Sequence, residues 1–197
     1  MAREQLREVV VSLCSDPDEE IMRASLSCLG REGVLGLVLE EGTSGLKAVT
    51  KLHGALYPHD CTMVGWRDEV ALLAAVRREA ESVEKFTVLH NRLLDWVLNV
   101  TSRGGGGVPC AAPCVTSAGI RAACVLLRRC RNAGARTDVC KGLVSDWANS
   151  ESWVKRRHFA VDICGGIRAN FSRNFFKCFF LDAAMAAFHD PVANVRV

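Results

Sequence analysis

Apolar residues recur every three or four positions along most of the chain, which is the spacing of one face of an α-helix. The clearest case lies near the C-terminus, where two apolar stretches are separated by a polar break. The periodic positions are Val154, Phe159, Ile163 and Ile167 in the first stretch and Phe175, Phe179, Ala183 and Ala186 in the second. This pattern predicts two antiparallel helices joined by a short turn. Alternating runs of Val, Ile and Thr, which are typical of strands, are scarce.

The same pattern recurs upstream as pairs of helices. An apolar face of Leu6, Val9, Val10 and Leu13 predicts the first helix of the chain. The Asp16-Pro17 dipeptide then opens a second helix, which Gly30 can end. Further pairs are predicted over 43–57 with 64–76, over 86–97 with 120–130, and over 137–147 with 153–168. We therefore expect an all-α chain.

The helix pairs recur at a spacing typical of a repeat protein. A single helical hairpin cannot bury both of its apolar faces, so such hairpins stack on one another. The arginines placed early in each second helix are separated by 44, 54, 35 and 40 residues; they are Arg23, Arg67, Arg121, Arg156 and Arg196. The longest step contains the run Gly104 to Gly107, and a period of 40 to 47 residues is that of HEAT and armadillo repeats.

This spacing predicts a HEAT/armadillo-like, right-handed solenoid of antiparallel helix pairs. We expect a single array over residues 1–197 of about five repeats, with a mobile glycine-rich loop insertion at 102–113. Asp190-Pro191 would open a further helix, which the chain ends one turn into. The last repeat is therefore expected to be truncated and the chain to be an incomplete array or a fragment.

Composition narrows the classes of function. The formal net charge is +3, with acidic and basic residues interspersed, so charge gives no indication of nucleic-acid binding. The N-terminus has neither the apolar core nor the cleavage site of a signal peptide, and no stretch approaches eighteen apolar residues. We expect a soluble protein of the cytoplasm, with the nucleus as a further location, and neither nucleic acid nor membrane as a partner.

Residues with catalytic or metal-binding chemistry are scattered. The ten cysteines contain no CxxC pair, and most lie inside apolar helical patterns, so we expect them to be buried thiols; Cys110 and Cys114 are expected in a loop. The five histidines form no metal or catalytic motif, and no lysine and serine follow the glycine run as in a nucleotide loop. Acidic residues near Asp18 suit a helix N-terminus. We predict no catalysis, no cofactor and no metal.

The segment Asp190-Pro191-Val192-Ala193-Asn194-Val195-Arg196 resembles the turn within a HEAT repeat. More specifically, it is similar to repeats of the A-type scaffold subunit of protein phosphatase 2A and of related phosphatase regulatory subunits. The resemblance extends over Trp153 to Val197. It implies a non-enzymatic scaffold or regulatory subunit that holds a 2A-type serine/threonine phosphatase catalytic subunit, with other regulatory subunits as further partners. The turn residues that it implies in partner binding are Trp153, Lys155, Arg157, Asp190, Val192 and Asn194.

The residues themselves leave several roles open. Arg156 and Arg196 are expected to form a structural ladder with turn carboxylates of neighbouring repeats, and the alternative is contact with an acidic partner. Trp66 and Trp153 are expected in the core, with partner anchoring as the alternative. Lys155 and Arg157 are expected to form a plain solvated face, with contact to an acidic partner as the alternative. The alternative function is a general helical-repeat adaptor or transport receptor for peptides or a small GTPase.

Overall fold

The computed structural model of the chain describes residues 2–57, 65–82, 89–102 and 112–196. All regular structure in these ranges is helical and none of it is a strand, which confirms the predicted all-α class. The helices are α1 (Ala2–Leu13), α2 (Glu19–Leu29), α3 (Val34–Leu39), α4 (Thr43–Leu56), α5 (Trp66–Ser82), α6 (His90–Ser102), α7 (Pro113–Arg129), α8 (Ala133–Leu143), α9 (Trp153–His158), α10 (Cys164–Asn170), α11 (Arg173–Phe179) and α12 (Leu181–Ala187).

Several predicted features lie outside the described residues. They are nearly all of the insertion at 102–113, the predicted helix starts at Val64 and Phe86, and two of the cysteines, Cys61 and Cys110. Cys114 was predicted in a loop and lies instead in the first turn of α7, because Pro113 begins the helix there. Among the helices that are described, none is long and apolar enough to cross a membrane.

The chain forms two compact units, Met1–Ala122 and Ala123–Val197, and α7 contributes to both. In the first unit, α2 packs against α4 and α5, and α3 packs against α1, α4 and α5. The Asp18 carboxylate begins α2 by accepting hydrogen bonds from the backbone amides of Glu20 and Ile21. Leucine supplies the largest fully buried apolar side chains of this unit, namely Leu26, Leu29, Leu35, Leu39, Leu52, Leu72 and Leu73.

Helix α3 has no counterpart among the predicted helices. Its six residues are Val-Leu-Gly-Leu-Val-Leu, so no polar position marks a helical period. Leu35, Val38 and Leu39 are all buried. Gly45 of α4 lies so close to the Val38 carbonyl oxygen that a Cβ at this position would overlap it. A glycine is therefore required where α4 passes the end of α3.

The second unit is built from the rest of α7 and from α8 to α12. Two π-helical segments interrupt it, Val144–Ala148 after α8 and Phe159–Ile163 between α9 and α10. The second of these makes one continuous helical rod from Trp153 to Asn170. The core of the second unit contains Phe159, Ile163, Ile167 and Phe180, all fully buried. The predicted helix over the second C-terminal stretch is divided into α11 and α12 at Phe180, whose φ is −124°.

Local contacts in this unit recur at a spacing of 40 residues. Asn132 caps α8 by accepting a hydrogen bond from the Ala135 amide, and Ser172 caps α11 in the same way from the Phe175 amide. Arg156 donates to the Ser150 carbonyl and Arg196 to the Asp190 carbonyl, each six residues back. This spacing agrees with the period of the sequence pattern. The solenoid and its five repeats remain predictions.

The cysteines of the described residues are mostly in the core. Five of the eight are buried: Cys14, Cys124, Cys130, Cys140 and Cys164. Burial raises the pKa of Cys124 to about 12, and that of Cys140 and Cys164 to about 11. These thiols are therefore protonated at neutral pH and act as small apolar side chains.

Candidate partner-binding surface

The residues predicted to bind a partner lie in two segments of the second unit, 150–157, where a turn leads into α9, and 190–196, which is a turn. We call these two segments the turn ridge. Trp153 is the first residue of α9 and is 42% exposed. Its predicted place in the core is therefore wrong, because the first position of this helix faces outward. Arg157 is exposed one turn further on, and Lys155 lies with its Nζ 5.9 Å from the centroid of the Trp147 ring.

Arg156 joins the two turns of the ridge. Its Nε donates to Asp190 Oδ2 at 2.6 Å and its Nη2 donates to Asp190 Oδ1 at 3.2 Å. The remaining nitrogen, Nη1, donates to the carbonyls of Ser150 and Glu151 at 2.8 and 2.9 Å. One planar guanidinium thus binds acceptors on both turns, as arginine geometry allows. The structural role predicted for Arg156 is observed.

The Asp190 carboxylate organises the second turn. Its Oδ1 accepts a hydrogen bond from the Val192 amide at 2.8 Å, in addition to the bonds from Arg156. The hydrogen bonds from the Arg156 guanidinium hold the pKa of the Asp190 carboxyl below its ordinary value. Asp190 is buried, Val192 is half-buried and Asn194 is exposed. A protein docking on the ridge would therefore meet Val192 and Asn194, and Asp190 would act by positioning them.

Arg196 does not reach a neighbouring repeat as predicted. Its Nη1 donates instead to the carbonyls of Asp190 and Pro191, at 2.8 and 3.4 Å. These carbonyls are the acceptors that a helix starting at Pro191 would use for its own amides. The residues after Pro191 form a turn, in which the Val195 amide bonds the Val192 carbonyl at 3.0 Å, and not the predicted helix.

Two of the other arginines that mark the repeat spacing make different contacts. Arg23 pairs with Glu19 of its own helix at 2.6 Å. The Arg67 guanidinium lies 4.5 Å from the centroid of the neighbouring Trp66 ring, and Trp66 is half-buried, so its predicted core position holds only in part. The contact between Arg156 and Asp190 is thus not reproduced at these two positions.

A buried polar pair beneath the ridge was not predicted. His158 Nδ1 lies 2.8 Å from Asp162 Oδ2, and both residues are buried. The His158 ring meets the Trp147 ring edge-on, with centroids 6.3 Å apart. The Lys155 ammonium group lies over the same Trp147 ring. The only signal in the sequence is the spacing of four residues between His158 and Asp162, which places both on one side of a helix.

The first unit contains a second buried pair of this kind. His53 Nε2 lies 2.7 Å from Glu69 Oε1, which joins α4 to α5. The His53 ring packs against Tyr57 and edge-on against Trp96. The described residues contain no group of three or more side chains able to hold a metal ion. His53 and Glu69 link two helices, whereas His158 and Asp162 lie on the same helical rod.

Comparison with known proteins finds relatives for part of the chain. The chain is similar to part of a phosphatase regulatory subunit. It is 36% identical, over 83 residues, to "Serine/threonine-protein phosphatase 4 regulatory subunit 4" of Homo sapiens, and equally so to that of Mus musculus. The match covers 42% of this chain and only 9% of each relative's length. No family model matches the chain, and no solved structure does.

This similarity supports the coarser of the two predicted resemblances. The chain is distantly and partially homologous to a phosphatase regulatory subunit. The narrower resemblance, to the A-type scaffold subunit of protein phosphatase 2A, is not supported by these relatives. The predicted partner-binding residues remain predictions, and the geometry of the ridge shows only which of their side chains a partner could reach.

The contact between Arg156 and Asp190 has a predicted pH dependence. The pKa of the Asp190 carboxyl is lower in the folded chain than its ordinary value. The pair therefore contributes its full stability at a pH above the ordinary pKa, and this contribution is lost as the pH falls through the folded-state pKa. We expect the wild type to melt at a higher temperature than Asp190→Asn at neutral pH, and the difference to shrink below about pH 4.

Asp182→Asn is the matched control, because Asp182 is an exposed carboxylate on α12 of the same unit. Thermal unfolding followed by circular dichroism would be recorded for all three proteins from neutral to acidic pH. Asp182→Asn is expected to melt close to the wild type throughout. A difference for Asp190→Asn that stays constant down to the lowest pH would contradict the assigned ion pair.

Proposed function

We propose that the chain is a non-catalytic regulatory or scaffold subunit that binds the catalytic subunit of a 2A-type serine/threonine protein phosphatase. Protein phosphatase 4 is the first candidate, because the matched relatives are regulatory subunits of that phosphatase. The observation that carries the proposal is the exposed Trp153 on a ridge whose two turns are joined by Arg156 and Asp190.

The turn ridge has the physical properties of a protein-binding surface. Trp153 offers a large ring, and tryptophan and arginine are enriched among the residues that contribute most to binding. The hydrogen bonds of Arg156 hold the two turns of the ridge in place before a partner binds, so less conformational entropy is lost on association. Lys155 and Arg157 place two positive charges beside Trp153, so an acidic patch on the catalytic subunit would complement this end of the ridge.

The second turn supplies the other predicted contacts. Val192 offers an apolar side chain and Asn194 an exposed amide able to donate and accept. Asp190 is a positioning residue in this proposal, because its carboxylate is turned toward Arg156 and the Val192 amide. Further regulatory subunits are proposed as additional partners, and the cytoplasm and nucleus as the places where the complex acts.

A capture experiment tests the proposal against its alternative. The immobilised chain would be offered purified catalytic subunits of protein phosphatases 4 and 2A, and separately a small GTPase in its two nucleotide states. Retention of a phosphatase catalytic subunit, with neither form of the GTPase retained, is the expected result. Retention of the GTPase alone would replace this function with that of a transport receptor.

A further inference from the structure

Positive charge is concentrated in two stretches of the second unit. Residues 123–137 contain four arginines and no acidic residue, and residues 163–181 contain Arg168, Arg173 and Lys177, again with no acidic residue. These seven charges exceed the net charge of +3, so the rest of the chain has a net charge of −4. The mild overall charge therefore conceals a strongly basic region.

The fold brings the two stretches together. The Arg128 guanidinium, at the end of α7, lies 5.9 Å from the centroid of the Phe171 ring, which precedes α11. Helices α7 and α10 also pack closely, since a Cβ at Gly166 would lie 2.7 Å from Cys124 Sγ. The exposed cations of the two stretches are Arg128, Arg129, Arg131, Arg168, Arg173 and Lys177.

Aromatic rings accompany these cations. Phe171 and Phe175 stack with centroids 4.3 Å apart and planes inclined by 16°, and Phe179 continues the row at 4.9 Å from Phe175. All three rings are half-buried. Their mutual contact holds them in place, so an incoming apolar group would meet an ordered surface and lose less entropy on binding.

We propose that this surface, which we call the basic face (Arg128, Arg131, Arg168, Arg173, Phe171 and Phe175), binds an acidic segment of a protein partner. Carboxylates of the segment pair with the arginines, and its apolar side chains lie against the phenylalanine rings. The basic face shares no residue with the turn ridge, so this interaction is additional to the proposed phosphatase contact.

The geometry favours a protein segment over other anionic partners. Phe171 and Phe175 stack on each other and Arg128 lies over Phe171, so these ring faces are already partly covered where a nucleic-acid base would stack. Half-buried rings also cannot enter a lipid layer as the fully exposed apolar face of an interfacial helix does. Arginine forks match carboxylates in two-point contacts, which suits Asp and Glu side chains.

Fluorescence anisotropy tests the proposal on the full chain. The probe is a fluorescein-labelled peptide of alternating Glu and Leu, and the variant carries Arg128→Ala, Arg131→Ala, Arg168→Ala and Arg173→Ala. We expect this variant to bind the peptide at least roughly tenfold more weakly than the wild type. All four side chains are exposed, so circular dichroism should show an unchanged fold.

A matched control removes four exposed cations from the first unit: Arg31→Ala, Lys47→Ala, Lys51→Ala and Arg92→Ala. It lowers the net charge equally and should change the affinity by less than about twofold if the basic face is the site. Equal weakening by both variants would show attraction by net charge alone and would overturn the proposal.

Two further probes separate the classes of partner. Single-stranded oligothymidylate and phosphatidylserine vesicles are offered to the wild type at the same ionic strength. The proposal expects both to bind more weakly than the peptide. Tighter binding of the oligonucleotide or of the vesicles, abolished by the four substitutions in the basic face, would assign the face to nucleic acid or to membrane and would overturn it.

Discussion

Replacing Phe159 with alanine is expected to lower the free energy of unfolding of the second unit by about 3–5 kcal/mol. The Phe159 ring is fully buried in the second π-helical segment, and it stacks with Phe180 at a centroid distance of 6.3 Å. The rod from Trp153 to Asn170 and the junction of α11 with α12 therefore meet at this ring. Truncation leaves a cavity between elements that cannot collapse without moving the turn ridge.

Val161→Ala is the matched control in the same π-helical segment, because its side chain is 38% exposed. Its cost should stay below about 1 kcal/mol, since little buried area is lost. Urea unfolding of the full chain, followed by circular dichroism, would measure both variants. Similar costs for the two substitutions would show that the core of this unit is not centred on Phe159.

Replacing Trp153 with alanine is expected to weaken binding of the phosphatase catalytic subunit by roughly 30-fold, the effect of a central interface residue worth about 2 kcal/mol. The side chain is 42% exposed, so the free chain should lose little stability. Isothermal titration with the purified catalytic subunit of protein phosphatase 4 gives the affinity, and thermal unfolding of the same samples gives the stability.

Leu6→Ala provides the control for loss of an exposed apolar side chain. Leu6 is 51% exposed on α1 and is not a residue of the turn ridge. Its substitution should leave the affinity unchanged within about twofold. If Trp153→Ala binds as well as the wild type, the anchoring role of Trp153 is wrong. If it melts far below the wild type, the ring is structural.

Much of the helical structure could be predicted from the sequence, because apolar positions at a helical period mark one buried face. The end of α2 at Gly30 and the start of α9 at Trp153 both agree with the pattern. Helix α3 escaped prediction because a helix that is apolar on every side has no period. The apolar face predicted for α1 is also only partly buried, since Val10 is buried while Leu6, Val9 and Leu13 are exposed.

The π-helical segments could not be predicted from periodicity. A π-helical turn is wider than an α-helical one, and it rotates the residues after it without changing the local composition. Asp162 lies in the second segment and is buried beside His158. A charged residue at such a position is ordinarily assigned to solvent, because burial of an unpaired carboxylate is costly.

The ridge was predicted as a set of residues but not as a geometry. The sequence placed Arg156 and Arg196 in equivalent positions, and both do bind the turn six residues back. Only Arg156 also pairs with a carboxylate of the other turn, that of Asp190, which lies 34 residues further along the chain. Trp153 faces outward because of how its helix packs in the fold, and this packing cannot be predicted from the local sequence pattern.

Hydrogen–deuterium exchange of the chain, alone and with the purified catalytic subunit of protein phosphatase 4, tests the proposed function most directly. Binding at the turn ridge predicts slower exchange of backbone amides in residues 152–157 and 192–196, with unchanged exchange in α1 and α4. Exchange that is unaltered everywhere, or slowed only outside the turn ridge, would contradict the proposal that these turns bind a phosphatase.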